Sequence, residues 1–173
     1  REALRRTEAR FAPVCPALGD GALTRAVLDA YAEGFGYGTD GYARLRTISV
    51  AALRRALGRS AFARLGIDDP ALEARAGAYC QRQEDALLRT REDARDILNT
   101  LRRALPVGVI TNGPSALQRR KLRRTGLAPL LDTVVVDTEE GWPKPDPRLF
   151  ARAAQRFGRR PGELMFVGNS PAD

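Results

Sequence analysis

The sequence predicts an α/β fold, a parallel sheet with crossover helices preceded by a block of helices. Three observations carry that reading. The run Val107-Gly108-Val109-Ile110 is apolar and mostly β-branched, and it is followed by Thr111-Asn112-Gly113-Pro114, which reads as a strand, a tight turn and a helix start. Two further apolar runs, Thr133-Val134-Val135-Val136 and Leu164-Met165-Phe166-Val167, follow at distances that leave room for a helix between each pair. Strands joined by such crossovers pair in parallel, and parallel strands covered on both faces read as continuous apolar runs. No comparable run occurs before residue 107, where the apolar spacing is helical.

Taken in order, residues 2–12 place Leu4 and Phe11 seven apart among charges, the spacing of one helix face, and Pro13 and Pro16 end that helix. Residues 21–33 repeat the pattern with Leu23, Val27, Leu28 and Tyr31, and Gly34 is the expected stop. The stretch Gly34-Phe35-Gly36-Tyr37-Gly38-Thr39-Asp40-Gly41-Tyr42 alternates glycines with aromatics. It reads as a mobile loop in which Phe35, Tyr37 and Tyr42 line a pocket mouth, or as a plain connection. Residues 49–57 form a third helix with Gly58 as its stop, and Pro70 or Ala71 opens a fourth that runs to Leu88. Thr90 reads as an N-cap with Asp93 in the capping-box position, and Ala94, Ile97, Leu98 and Leu101 as the buried stripe of the next helix. Beyond the first strand, Pro114 opens a helix that Gly126 closes; after the second, Asp146 and Pro147 open another that Gly158 closes. The expected organisation is a leading helix at 1–12, a helical domain at 13–90 and a partial sheet domain at 91–173.

Composition removes several chemistries. The chain has no histidine, which excludes imidazole bases, histidine triads and histidine metal sites and leaves carboxylates, hydroxyls and lysine. Its two cysteines, Cys15 and Cys80, lie far apart without metal-type spacing, which argues against a disulfide framework and for a reducing cytoplasm. No apolar run is long enough to span a membrane, and no signal peptide is visible. The net charge of +8 raises nucleic acid as a partner, but most basic residues alternate with acids along helical stretches and aromatics are only 6%. A solvated helix face is the better account of Arg119-Arg120-Lys121-Leu122-Arg123-Arg124, and it argues against nucleic acid.

The residues that carry chemistry fall at three strand-end or loop positions, which a parallel sheet brings to its carboxyl rim. Thr111, Asn112 and Gly113 offer a hydroxyl and backbone N–H groups at a helix start, a phosphate cradle or an ordinary turn. In Trp142-Pro143-Lys144-Pro145-Asp146-Pro147 a lysine sits between prolines, as a cation on a stiffened loop or as a surface residue. Asn169 and Asp173 follow the third run with hard oxygen donors of the kind Mg²⁺ takes.

The order and spacing of VGVITNG, GWPKPDPRLF and LMFVGNSPAD closely resemble the second, third and fourth motifs of the haloacid dehalogenase-like hydrolases. The resemblance covers residues 90–173, and the preceding helices are similar in kind to the family's inserted helical cap. It implies a Rossmann-like core, Mg²⁺, a small phosphorylated substrate, and transfer of the phosphoryl group to an aspartate from which water removes it. By motif it implies that Thr111 and Asn112 with Gly113 hold the phosphate, that Lys144 stabilises its charge, and that Asn169 and Asp173 serve the metal. The family's first motif, a strand ending Asp-x-Asp, is absent. Asp20-Gly21 does not replace it, because Pro13-Val14-Cys15-Pro16 makes a poor central strand. The nucleophile is therefore expected outside these 173 residues, with the chain by itself inactive. Asn169 stands where many members place aspartate. The competing readings are a haloacid dehalogenase-type hydrolase, which needs no metal, and a non-catalytic or nucleic-acid-binding remnant.

Overall fold

The computed structural model describes residues 1–36 and 40–168, and divides the chain into two compact units, Arg1–Leu88 and Arg89–Asp173. Among the described residues no helix is long and apolar enough to cross a membrane.

The first unit is helical: α1 (Glu2–Phe11), α2 (Ala22–Phe35), α3 (Asp40–Leu45), α4 (Val50–Arg64) and α5 (Pro70–Leu87), with a 3₁₀ turn at Pro16–Leu18. Helix α1 lies against α5, and α2 against α4. Their facing stripes, with Leu18 of the 3₁₀ turn, supply a core of Phe11, Leu18, Leu23, Ala26, Ala61, Phe62, Leu72 and Ala76, in which Leu18 and Ala61 are fully buried. Burying one large apolar side chain stabilises a fold by about 1.5–3 kcal/mol, so this cluster dominates the unit's energetics. Two starts are capped as their residue types dictate. The Ser49 hydroxyl accepts from the Ala52 N–H at 3.1 Å, and the Asp69 carboxylate from the Leu72 N–H at 2.8 Å. Buried Glu8 accepts from the Thr24 N–H at 2.8 Å.

Three expectations are corrected here. Gly34 and Gly58 do not stop their helices: α2 runs on to Phe35, and α4 to Arg64. In both cases buried residues beyond the glycine, Phe35 in α2 and Ala61 and Phe62 in α4, continue the apolar face, and packing outweighs the roughly 1 kcal/mol that a glycine costs a helix interior. The aromatic stretch is also not one loop. Phe35 ends α2 and is buried with Leu45 and Leu53, while Tyr42 lies in α3 and packs against the same cluster. Phe35 is 7% exposed and is a core residue, so its ring lines no pocket mouth. Tyr37 lies outside the described residues.

The second unit contains α6 (Ala94–Leu101), β1 (Gly108–Thr111), α7 (Ser115–Arg124), β2 (Thr133–Val136), α8 (Asp137–Glu140) and α9 (Pro147–Phe157), with 3₁₀ turns at Ala128–Leu130 and Pro161–Glu163. It is of the expected α/β class. Strands β1 and β2 pair in parallel, Gly108 opposite Thr133 and Thr111 opposite Val136, with α7 as the crossover. Gly108 permits this closeness: a Cβ there would come within 2.6 Å of Thr133 and 2.7 Å of the Phe157 ring. Helix α9 covers β2, and Val135, Leu149 and Ala153 form the core, with Ile110 and Trp142 packed on it. Asp146 caps α9 by accepting from the Arg148 N–H at 2.9 Å.

Here too the structure differs from the sequence pattern. Residues 164–167 form no strand. Among the described residues β1 and β2 pair only with each other, and an apolar run becomes a strand only where a neighbour supplies the ladder. Met165 and Val167 are 88% and 81% exposed, while Phe166 rests edge-on against Phe150 with centroids 5.1 Å apart. The α6 stripe is not buried, Ile97 and Leu101 being 51% and 42% exposed. β1 is half-buried along its whole length. Thr90 is no N-cap, because its hydroxyl donates to the Thr125 carbonyl at 2.8 Å, and the Asp93 carboxylate is held by Arg91 instead.

Candidate active site

The candidate site is built on the turn that leaves β1 and on the loop that follows α8. Thr111 ends β1 half-buried, and its hydroxyl takes no hydrogen-bond partner among the described residues. Gly113 follows at φ 122°, a conformation that favours glycine, and a Cβ there would fall 2.7 Å from the Gln118 amide nitrogen. Gln118 donates to the Asn112 carbonyl at 2.9 Å, closing the turn against the first residues of α7.

The turn is held from the other strand by Asp137. This carboxylate is wholly buried and its Oδ1 accepts two backbone N–H bonds, from Gly113 and from Thr138, each at 2.7 Å. The Thr138 hydroxyl returns a bond to the Gly113 carbonyl at 2.9 Å. Charge-assisted bonds of this kind offset the cost of burying an anion. A second pair of bonds ties the turn to the lysine loop. Asn112 Oδ1 accepts from the Lys144 N–H at 2.9 Å and Asn112 Nδ2 donates to the Lys144 carbonyl at 3.3 Å. The Lys144 Nζ lies 5.5 Å from the centroid of the Phe166 ring, within cation–π range. The Lys144–Pro145 peptide is cis.

Two more acids of the same short helix reach outward. Glu139 takes a bidentate pair from Arg119 at 2.6 and 2.7 Å and a bond from the Ser115 hydroxyl, which together hold its carboxyl below the usual glutamate range, the Arg119 bond contributing most. Glu140 accepts from Arg152 at 2.9 Å and from Arg156. A cleft of about 520 Å³ lies beside α9, lined by Glu140, Trp142, Arg148, Ala151, Arg152 and Gln155, and includes none of the rim residues.

Of the residues singled out from the sequence, Thr111, Asn112, Gly113 and Lys144 are brought to adjoining turns. Two of them also make bonds within the protein: the Asn112 side-chain amide holds the Lys144 peptide, and the Gly113 N–H donates to Asp137. Asn169 and Asp173 lie outside the described residues. Among the described residues no group of three acids or cysteines gathers as a metal site, and the Asp137 Oδ1 is taken by backbone N–H groups. The described residues thus supply no magnesium ligand set by themselves. Asp137, Glu139 and Arg119 were missed. The signal available was the position of Asp137-Thr138-Glu139-Glu140-Gly141 directly after a buried strand, on the same rim as Thr111.

Comparison with known proteins gives this arrangement a family. Residues 46% identical over 70 positions relate the chain to a phosphoserine phosphatase of Thermus thermophilus, covering 40% of this chain and 28% of that protein. A pyrimidine 5′-nucleotidase of Escherichia coli is 42% identical over 75 residues, 43% of this chain and 33% of the relative. A glyceraldehyde 3-phosphate phosphatase of Methanopyrus kandleri is 34% identical over 108 residues, 61% of this chain and 46% of its own length. The matched stretches thus span less than half of each relative. The family of haloacid dehalogenase-like hydrolases matches residues 7–173, nearly the whole chain. With a Rossmann-like α/β unit and a helical unit, and with its TNG and KPDP stretches on adjoining turns, the chain belongs to the haloacid dehalogenase-like hydrolases.

Proposed function

We propose that this chain is part of a phosphatase acting on a small phosphomonoester, and that Thr111 and Lys144 hold the phosphoryl group. The observation that carries this reading is the joining of the two turns: Asn112 fastens the Lys144 backbone to the turn that carries the Thr111 hydroxyl, which has no hydrogen-bond partner among the described residues. One hydroxyl donor and one ammonium on a common rim suit a tetrahedral oxyanion. The names of the relatives support the substrate class, since phosphoserine, a nucleoside 5′-phosphate and glyceraldehyde 3-phosphate are all small phosphomonoesters.

In the proposed reaction an aspartate carboxylate attacks phosphorus, and the leaving oxygen departs as the alcohol after taking a proton. Water then cleaves the acyl phosphate to inorganic phosphate and the free carboxylate. Lys144 balances negative charge on the phosphoryl oxygens in both steps. The nucleophile is supplied from outside these 173 residues, since no Asp-x-Asp occurs in them and the relatives extend well beyond the matched stretches. In the same proposal Asn169 and Asp173 would hold Mg²⁺, which would supply charge neutralisation. Residues 1–88 serve as the cap.

The test uses the 173-residue chain and a longer protein carrying its natural upstream sequence. The longer protein is expected to release phosphate from p-nitrophenyl phosphate with Mg²⁺, to stop when the metal is chelated, and to lose about a hundredfold or more on Lys144→Ala. The 173-residue chain is expected to bind orthovanadate without turnover. Turnover by the shorter chain, metal-independent activity, or an unaffected Lys144→Ala variant would overturn the reading.

A further inference from the structure

We infer that Asp137 is the positioning residue of this site, setting the place of the Lys144 loop through Gly113 and Asn112. The inference rests on the proposed oxyanion role of Thr111 and Lys144, and adds a residue that touches neither substrate nor reacting atoms.

The chain of contacts is short and directional. Asp137 is wholly buried at the start of α8, where a carboxylate would ordinarily be expensive, and it is retained with two backbone N–H bonds to one oxygen. One of those bonds fixes the Gly113 peptide in the turn after Thr111, while Thr138 fixes its carbonyl. Gly113 adjoins Asn112, whose amide holds both the N–H and the carbonyl of Lys144. The turn of one strand and the loop beyond the other are therefore located by the same buried anion. Of the three acids of α8, Asp137 is the one that bonds to the Gly113 turn; Glu139 takes Ser115 and Arg119 of α7, and Glu140 takes Arg152 and Arg156 of α9.

The molecule contains its own reporter. Trp142, the only tryptophan, lies two residues before Lys144 on the same loop. In the 173-residue chain without ligand, Asp137→Ala is expected to shift Trp142 emission to the red and raise its quenching by acrylamide, with helix content by circular dichroism retained. Asp137→Asn, which keeps an oxygen acceptor for both N–H groups, is expected to restore the wild-type signal. Asn112→Ala cuts the relay downstream and is expected to release Trp142 likewise; in that background Asp137→Ala should add nothing, the signature of one shared path. A folded Asp137→Ala chain with wild-type Trp142 quenching overturns the inference, and so do additive effects in the double variant. If Asp137→Ala does not fold, Asn112→Ala against Asp137→Asn decides: Trp142 released by the first and held by the second supports the relay, and any other pattern overturns it. Orthovanadate titration forms a separate arm. Trp142 released as expected while wild-type protein fails to bind vanadate leaves the relay standing and removes the phosphatase reading.

Discussion

The two units are held together by different means. The helical unit buries Phe11, Leu18, Leu23, Phe62 and Leu72 in one cluster, and its polar bonds lie mostly at helix ends and on the surface. The α/β unit has a small apolar core of Val135, Leu149 and Ala153 and leaves Ile97, Leu105, Met165 and Val167 largely in solvent. What organises its rim is a polar mesh in which Asp137, Asn112, Thr138 and Glu139 each fix a named partner. Apolar packing gives stability without direction, whereas hydrogen bonds fix the place of individual atoms. The unit with less core is the one that must hold atoms in place.

That contrast can be broken by measurement, beginning with the largest effect. Phe62→Ala, at a ring 4% exposed, is expected to cost about 3–5 kcal/mol in denaturant unfolding followed by circular dichroism. A loss below about 1 kcal/mol would mean that the helical unit is not held by its core. Gly108→Ala forces a methyl group against Thr133 and Phe157 and is expected to cost about 1–3 kcal/mol, read from the unfolding transition of Trp142 in the α/β unit. The pH dependence sharpens the other side. The Glu139 carboxyl is depressed by the Arg119 bond, so its contribution is present above the ordinary glutamate value of 4.5 and is lost as pH falls through the lower folded value. With both partners partly exposed the contribution is about 1 kcal/mol or less, and Glu139→Gln should flatten that part of the acid limb of the Trp142 transition. The smallest effect has the opposite sign. Gly77 lies inside α5 with open space around its Cβ position, so Gly77→Ala is expected to raise the melting temperature, by about 0.5 kcal/mol of added stability.

Much of the fold was legible because its signals are local. Pro70 after Asp69, Pro147 after Asp146 and Gly158 at φ 63° mark helix ends by backbone chemistry that needs no tertiary partner. The runs ending at Thr111 and Val136 were legible as strands from their apolar, β-branched composition, and each finds its ladder partner in the other. The misreadings came where a distant neighbour decides. Gly34 and Gly58 lie in helices whose packed faces continue past them, and residues 164–167 have strand composition but no ladder. At the rim, motif spacing found Thr111 and Lys144. It could not tell that the Asn112 amide points to the Lys144 peptide, because that contact joins residues 32 apart in sequence. Asp137 escaped notice because an acid beside two others looks like a solvated turn until its burial is known.

Helix α8 has four residues, and three of them send carboxylates to three different addresses: Asp137 to the Gly113 turn, Glu139 to Arg119 on α7, and Glu140 to Arg152 and Arg156 on α9. Such a segment is sensitive to phase more than to composition. Exchanging one acid removes one address, but inserting or deleting one residue directly after Val136 turns all three carboxylates by about 100° relative to β2 and misdelivers them together. Length variation in this family member should therefore be tolerated between α6 and β1, where residues 102–106 are exposed, and rejected across the five residues that follow β2.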